Sequence, residues 1–127
     1  MEHQEQVPPV PNATRPVWDM VIEDATAQLE VLTGTEHGGA LREKFLADMR
    51  ARSDLGVARY GTPLQVGNGR DWLRDAYEEA LDLTVYLRQG MAEGGGVDVD
   101  VAYHYQVALV LAANLCQMLF GRQRAAS

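Results

Sequence analysis

Hydrophobic and polar positions repeat with a helical period along most of this chain. From Trp18 to Leu32 the apolar residues Trp18, Val21 or Ile22, Ala25, Leu29 and Leu32 recur at helical spacing. Asp19, Glu23 and Glu30 gather on another face, which predicts a first amphipathic helix. Gly34 ends it, and a loop through His37, Gly38 and Gly39 leads to a second helix over about Ala40 to Val57, with Leu41, Phe45, Met49 and Leu55 as its apolar positions. Gly61 and Pro63 stop this helix, and Gly67-Asn68-Gly69 signals the turn that opens a third, from about Arg70 to Gln89. Gly90 and then Gly94-Gly95-Gly96 break the chain again. Asp98 or Asp100 is placed to cap a last helix that continues through Tyr105 to about Gly121. No strand alternation of useful length and no internal repeat is present, so the expected fold is all-α, with four main helices and short connections.

The last helix sets the packing problem. Its apolar stretch from Val107 to Phe120 is shorter than the roughly 20 residues that cross a bilayer, and Asn114 and Gln117 interrupt it, so it reads as a buried helix. Tyr103 and Tyr105 read as core, and Cys116 as a small buried hydrophobe. A helix apolar on nearly every side has to be covered all round. Four helices in 127 residues do not supply that cover, which predicts a homo-oligomer, in the simplest case a twofold dimer packed through the last helix.

Composition narrows the partners. The chain is long enough for one core and not two, so the expected organisation is a flexible proline-rich arm over residues 1–16, a single all-α domain over 17–121 and a C-terminal tail over 122–127. A formal net charge of -7 repels nucleic acid and anionic lipid, so neither nucleic acid nor membrane is an expected partner. A single cysteine permits no disulfide within the chain, and no basic-then-apolar leader opens it, both of which fit a cytoplasmic protein. His104 has no His or Cys at metal spacing, and His3 and His37 lie in loops, so zinc is not expected.

The third helix carries the candidate chemistry. At about 100° per residue, Asp71, Asp75, Glu78, Glu79 and Asp82 fall within roughly 100° of one another and form one carboxylate stripe. Trp72, Ala76, Leu83 and Leu87 flank it on one side, Leu81 and Val85 on the other. Like charges at these spacings repel, and a bound cation relieves the repulsion. Mg²⁺ takes oxygen ligands and is commonly held by one or two carboxylates together with substrate phosphates. Glu79 and Asp82 supply two such ligands one helical turn apart, with Asp75 and Glu78 in reach as third ligand or base. The competing reading is an acidic solvated face, with Asp71 and Asp75 favoured by the positive end of the helix dipole.

On the second helix Asp48, Arg52 and Gly56 lie four apart, close in sequence to Arg59 and Tyr60. Arg52 and Arg59 suit phosphate oxygens in forked geometry, and Tyr60 suits stacking on a base. Equally, the arginines suit an intrahelical bridge to Asp48 or a bridge to the acidic stripe, and Tyr60 an ordinary helix stop. Asn68 is placed either to bind a ligand or to cap the next helix.

The block from Arg52 through Arg59-Tyr60-Gly61-Thr62-Pro63-Leu64-Gln65, then Asn68-Gly69-Arg70-Asp71, then Asp75-Ala76-Tyr77-Glu78-Glu79-Ala80-Leu81-Asp82 and Tyr86 to Gln89, resembles phage proteins of the MazG-like group of all-α nucleoside triphosphate pyrophosphohydrolases. Glu79-x-x-Asp82 resembles the second acidic half-motif, ExxD, of that family. The resemblance covers about a third of the chain and implies a four-helix MazG-like bundle completed by dimerisation. It further implies a Mg²⁺-dependent (or Mn²⁺-dependent) hydrolase that cuts a nucleoside or deoxynucleoside triphosphate to monophosphate and pyrophosphate in the host cytoplasm. On that reading Asp75, Glu79 and Asp82 hold metal, Glu78, Glu79 and Asp82 serve catalysis, and Asp48, Arg52, Arg59, Tyr60 and Asn68 bind substrate. The family's first acidic pair, ExxE, has no counterpart between Trp18 and Tyr60. The nearest substitutes are Glu23 with Asp19 or Glu30, and Glu43 or Asp48. A chain keeping the pocket without the full metal set would instead be a non-catalytic nucleotide-binding protein, such as a phage sponge for a nucleotide-derived immune signal.

Overall fold

A computed structural model describes residues 6–33, 38–95 and 98–126. Its helices are α1 (Val17–Thr33), α2 (Gly38–Tyr60), α3 (Trp72–Glu93) and α4 (Val99–Ala125). Among the described residues there is no strand, only an isolated antiparallel bridge between Pro16 and Gln65. The all-α expectation with four helices therefore holds. The chain divides into two compact units, Met1–Arg70 and Asp71–Ser127. α1 packs on α2 in the first, and α3 on α4 in the second. His3, Gly34, His37 and Gly96 lie outside the described residues, as do the side chains of Glu30 and Leu32.

In the first unit the covered positions of α1 are Trp18, Ile22, Ala25 and Leu29, and those of α2 are Arg42, Leu46, Met49, Ser53 and Gly56. Both series step by four and three. That spacing keeps a stripe nearly straight along a helix and lets two helices pack side by side. Leu46 and not Phe45 is the buried leucine-sized residue of α2, and Leu41, Phe45 and Leu55 are exposed. α2 has two apolar stripes, and the one that includes Leu46 and Met49 meets α1. The helix also runs past Gly56 to Tyr60. It ends where Gly61 takes a φ of 74° and its N–H donates to the Val57 carbonyl at 2.8 Å, a left-handed stop that glycine adopts without strain.

The arm before α1 is tied to the segment after α2. The Gln65 side chain is the centre of this clasp. Its Nε2 donates to the carbonyls of Asn12 and Thr14, both at 2.7 Å, and its Oε1 accepts from the Asn12 amide at 3.0 Å. Asn12 Nδ2 donates back to the Val66 carbonyl, the Val17 amide to the Leu64 carbonyl, and the Val10 amide to the Asn68 carbonyl, each at 2.8 Å. The prolines of the arm leave these particular donors in place. Thr62, Gln65 and Asn68 are buried polar residues, and satisfying them is what makes such burial tolerable.

In the second unit the seam is apolar and regular. α3 contributes Leu73, Tyr77, Ala80, Thr84, Leu87 and Met91, and α4 contributes Val101, Tyr105, Ala108, Ala112, Leu115 and Leu119. Both follow the four-three repeat, with Leu73, Ala80, Ala108, Ala112 and Leu119 buried. The pair is antiparallel: Arg122 reaches Asp71 at one end, while at the other a side chain on Gly90 would meet Val101 at 4.0 Å. Gly90 therefore allows a close approach and does not break the helix, which continues to Glu93 and closes with the Gly94 amide on the Gly90 carbonyl at 3.0 Å. Asp71 and Asp98 are the N-caps of α3 and α4, each accepting from two backbone amides.

α4 departs from the buried helix expected of it. Within it only Ala108, Ala112 and Leu119 are buried, and Tyr103, Val110 and Phe120 stand 64%, 57% and 59% exposed. Cys116 is also exposed, lying beside Tyr77 and off the Ala108–Leu119 stripe. By length and composition alone α4 is long and apolar enough to cross a membrane.

Candidate functional site

The packing of α3 fixes where its carboxylates stand. Leu73, Ala80 and Leu87 turn towards α4, and at about 100° per residue Asp75, Glu78, Glu79 and Asp82 centre roughly half a turn away, on the opposite side of the helix. Asp75 and Glu78 are half-buried, whereas Glu79 and Asp82 are exposed. Glu78, Glu79 and Asp82 make no ion pair or side-chain hydrogen bond among the described residues. Trp72 and Leu83 on one flank and Leu81 and Val85 on the other are exposed, so the stripe stays framed by apolar surface; Leu87 belongs to the α4 seam.

Asp71, the fifth member of the stripe, has a different job. Its carboxylate caps α3 through the Leu73 and Arg74 amides and receives Arg122 at 3.0 and 2.8 Å. Burial pushes this carboxyl up, but the hydrogen bonds from Arg122 and the two amides outweigh it and hold the group below its ordinary value. Tyr77, on the α4 side, is pushed up by its contact with Cys116 and by burial.

Two carboxylates one turn apart fit part of a Mg²⁺ shell, the rest of which phosphate oxygens and water commonly supply. Among the described residues no three His, Cys, Asp or Glu side chains converge as a complete metal-binding group.

The other candidate residues lie in the first unit. Asp48, Arg52 and Arg59 share one exposed face of α2. Asp48 pairs with Lys44 at 2.8 Å and not with Arg52, because the lysine one turn earlier reaches the same carboxylate. Arg52 makes no ion pair among the described residues. Arg59 lies 5.4 Å from the centroid of the Tyr60 ring, a cation–π contact on exposed surface. Gly56 is half-buried, and a Cβ added to it would meet nothing within 4 Å. Asn68 is 6% exposed, and its Oδ1 accepts from the Arg70 amide, so it builds the turn; the cap of α3 is Asp71.

A cleft of about 420 Å³ opens beside α1 and α2, lined by Arg15, Asp19, Ile22, Glu23, Arg50, Ser53 and Asp54. Asp19 and Glu23, the substitutes considered for the missing acidic pair, are both in it. Arg15 donates to Glu23 at 2.6 Å and to the Asp19 carbonyl at 3.3 Å. Arg15, Arg50, Ser53 and Asp54 were not singled out in the sequence, although Arg15, Asp19 and Glu23, like Arg50 and Asp54, follow one another at helical steps of four.

Compared with protein-family models, with curated proteins and with solved structures, the chain has no match in any of the three.

Proposed function

We propose that this chain is a MazG-like, Mg²⁺-dependent nucleotide pyrophosphohydrolase, cleaving a nucleoside or deoxynucleoside triphosphate to monophosphate and pyrophosphate in the cytoplasm of a phage host, as a homodimer packed through α4. One observation carries the reading. Glu79 and Asp82 stand one turn apart on the exposed side of α3, and among the described residues neither they nor Glu78 make an ion pair.

When bound, the metal would supply charge neutralisation on the phosphates. Glu79, Asp82 and Asp75 are the residues that would hold it, and Glu78 is the carboxylate suited to take a proton from water. On α2, Arg52 and Arg59 are the cations suited to phosphate oxygens, and Tyr60 offers a ring face to a base. The test is pyrophosphate release from the common nucleoside and deoxynucleoside triphosphates with Mg²⁺ or Mn²⁺. Glu79→Gln and Asp82→Asn should each cut turnover by about a hundredfold, in the range of lost charge stabilisation at a reacting phosphate. Release from none of these nucleotides overturns the enzymatic reading.

The missing ExxE pair favours a second reading, a non-catalytic protein that sequesters a nucleotide-derived signal. Recovery of unchanged ligand after tight binding supports it, and turnover excludes it.

A further inference from the structure

Building on the dimer proposed above, we infer that two copies pair antiparallel through one stripe of α4: Tyr103, Val107, Val110, Asn114, Gln117 and Gly121. These residues step by four and three and lie on the side of α4 opposite Ala108, Ala112 and Leu119, which pack on α3. The stripe is free of charge, and Tyr103, Val107 and Val110 are 64%, 47% and 57% exposed.

The spacing suits an antiparallel arrangement. Tyr103 and Gly121 lie nine residues either side of Ala112, Val107 and Gln117 five, and Val110 and Asn114 two. A twofold axis beside Ala112 therefore sets each member against another member of the same stripe in an antiparallel copy. The bulkiest residue, Tyr103, falls opposite the partner's Gly121, where even an added Cβ would find nothing within 4 Å in its own chain. Val110 falls opposite the partner's Asn114, and the two Asn114 residues stand about 6 Å apart along the axis, within reach of each other's amides.

Charge points the same way. α4 begins with Asp98 and Asp100 and ends with Arg122 and Arg124. Arg122 is held by Asp71 of its own chain, so it is the Arg124 end that antiparallel pairing brings beside the acidic end of the other copy, with the helix dipoles opposed, whereas parallel pairing stacks like on like. Asp100 and Arg124, each twelve residues from Ala112, come to the same height.

The experiment uses the full chain in a Cys116→Ser background, with light scattering and oxidative cross-linking. Tyr103→Cys with Gly121→Cys in one chain should give quantitative covalent dimer, and Tyr103→Cys alone none, because its two copies stand about 27 Å apart along the axis. Val110→Glu, on an exposed position, should give a monomer with unchanged helical circular dichroism. Cross-linking of Tyr103→Cys alone would mean parallel pairing, which overturns this arrangement and leaves the dimer reading standing. A monomeric parent protein, or one that co-floats with neutral phosphatidylcholine vesicles, overturns both.

Discussion

Arg42 and Ser53 are among the half-buried positions on the side of α2 that meets α1, and much of what binds the first unit together lies beside that seam, in the clasp around Gln65. The second unit repeats the same four-three spacing with Leu73, Ala80, Ala108, Ala112 and Leu119 buried, and its two helices are each capped by an aspartate. Spacing alone therefore gives a helix pair its path, while side-chain chemistry decides whether apolar burial or oriented hydrogen bonds hold it. The consequence differs too. Hydrogen bonds close the first unit on its own arm, whereas the second leaves most of α4 exposed.

Three changes would break or sharpen that contrast. The largest effect is expected from Leu119→Ala, which empties a buried position of the apolar seam and should cost about 2–5 kcal/mol of stability in urea unfolding. A cost below about 1 kcal/mol would show that α3 and α4 are not held chiefly by this seam. Next comes Gln65→Ala, which strips partners from three backbone groups of the arm and should cost about 1–3 kcal/mol. Hydrogen exchange should accelerate at the Asn12 and Val17 amides and stay unchanged in α4. Uniform acceleration through both units would instead mean that they unfold as one.

The smallest effect concerns pH. Asp71 is held below its ordinary value, so the unfolded chain takes up its proton first as pH falls. The stabilisation from this carboxylate is full above the ordinary aspartate range and is lost as pH drops through that range towards the folded value. Asp71→Asn keeps a competent cap and removes the charge, so its stability should lack this component of acid loss. Partial exposure of both Asp71 and Arg122 limits the effect, and salt should shrink it further.

Much of the fold was legible because periodicity is a local property. All four helices, and the end of α2 near Gly61, follow from spacing, glycine and proline. Which face is covered was less legible. α2 has two competing apolar stripes, so Phe45 looked as suited to the core as Leu46, and α4 is apolar on nearly every side, so Cys116 and Tyr103 read as buried. The clasp was not legible at all, since Asn12 and Gln65 are 53 residues apart and hydrogen bonds over that distance leave no periodic trace. At the candidate site the α3 stripe was readable, but Asp71 belonged to it only by angle. Its commitment to Arg122, 51 residues away, depends on how α4 folds back.

The segment after α2 also bears on how this sequence can drift. Surface connections usually tolerate substitution better than the helices they join. Here Thr62, Gln65 and Asn68 are buried, and Gly69, at a φ of 85°, has Val7 and Val10 at 4.0 Å from where a Cβ would stand. The outer face of α2, by contrast, exposes Leu41, Phe45 and Leu55. Selection on the fold should therefore hold this short connection nearly fixed while the helix before it varies, reversing the usual pattern of conserved helices and variable loops.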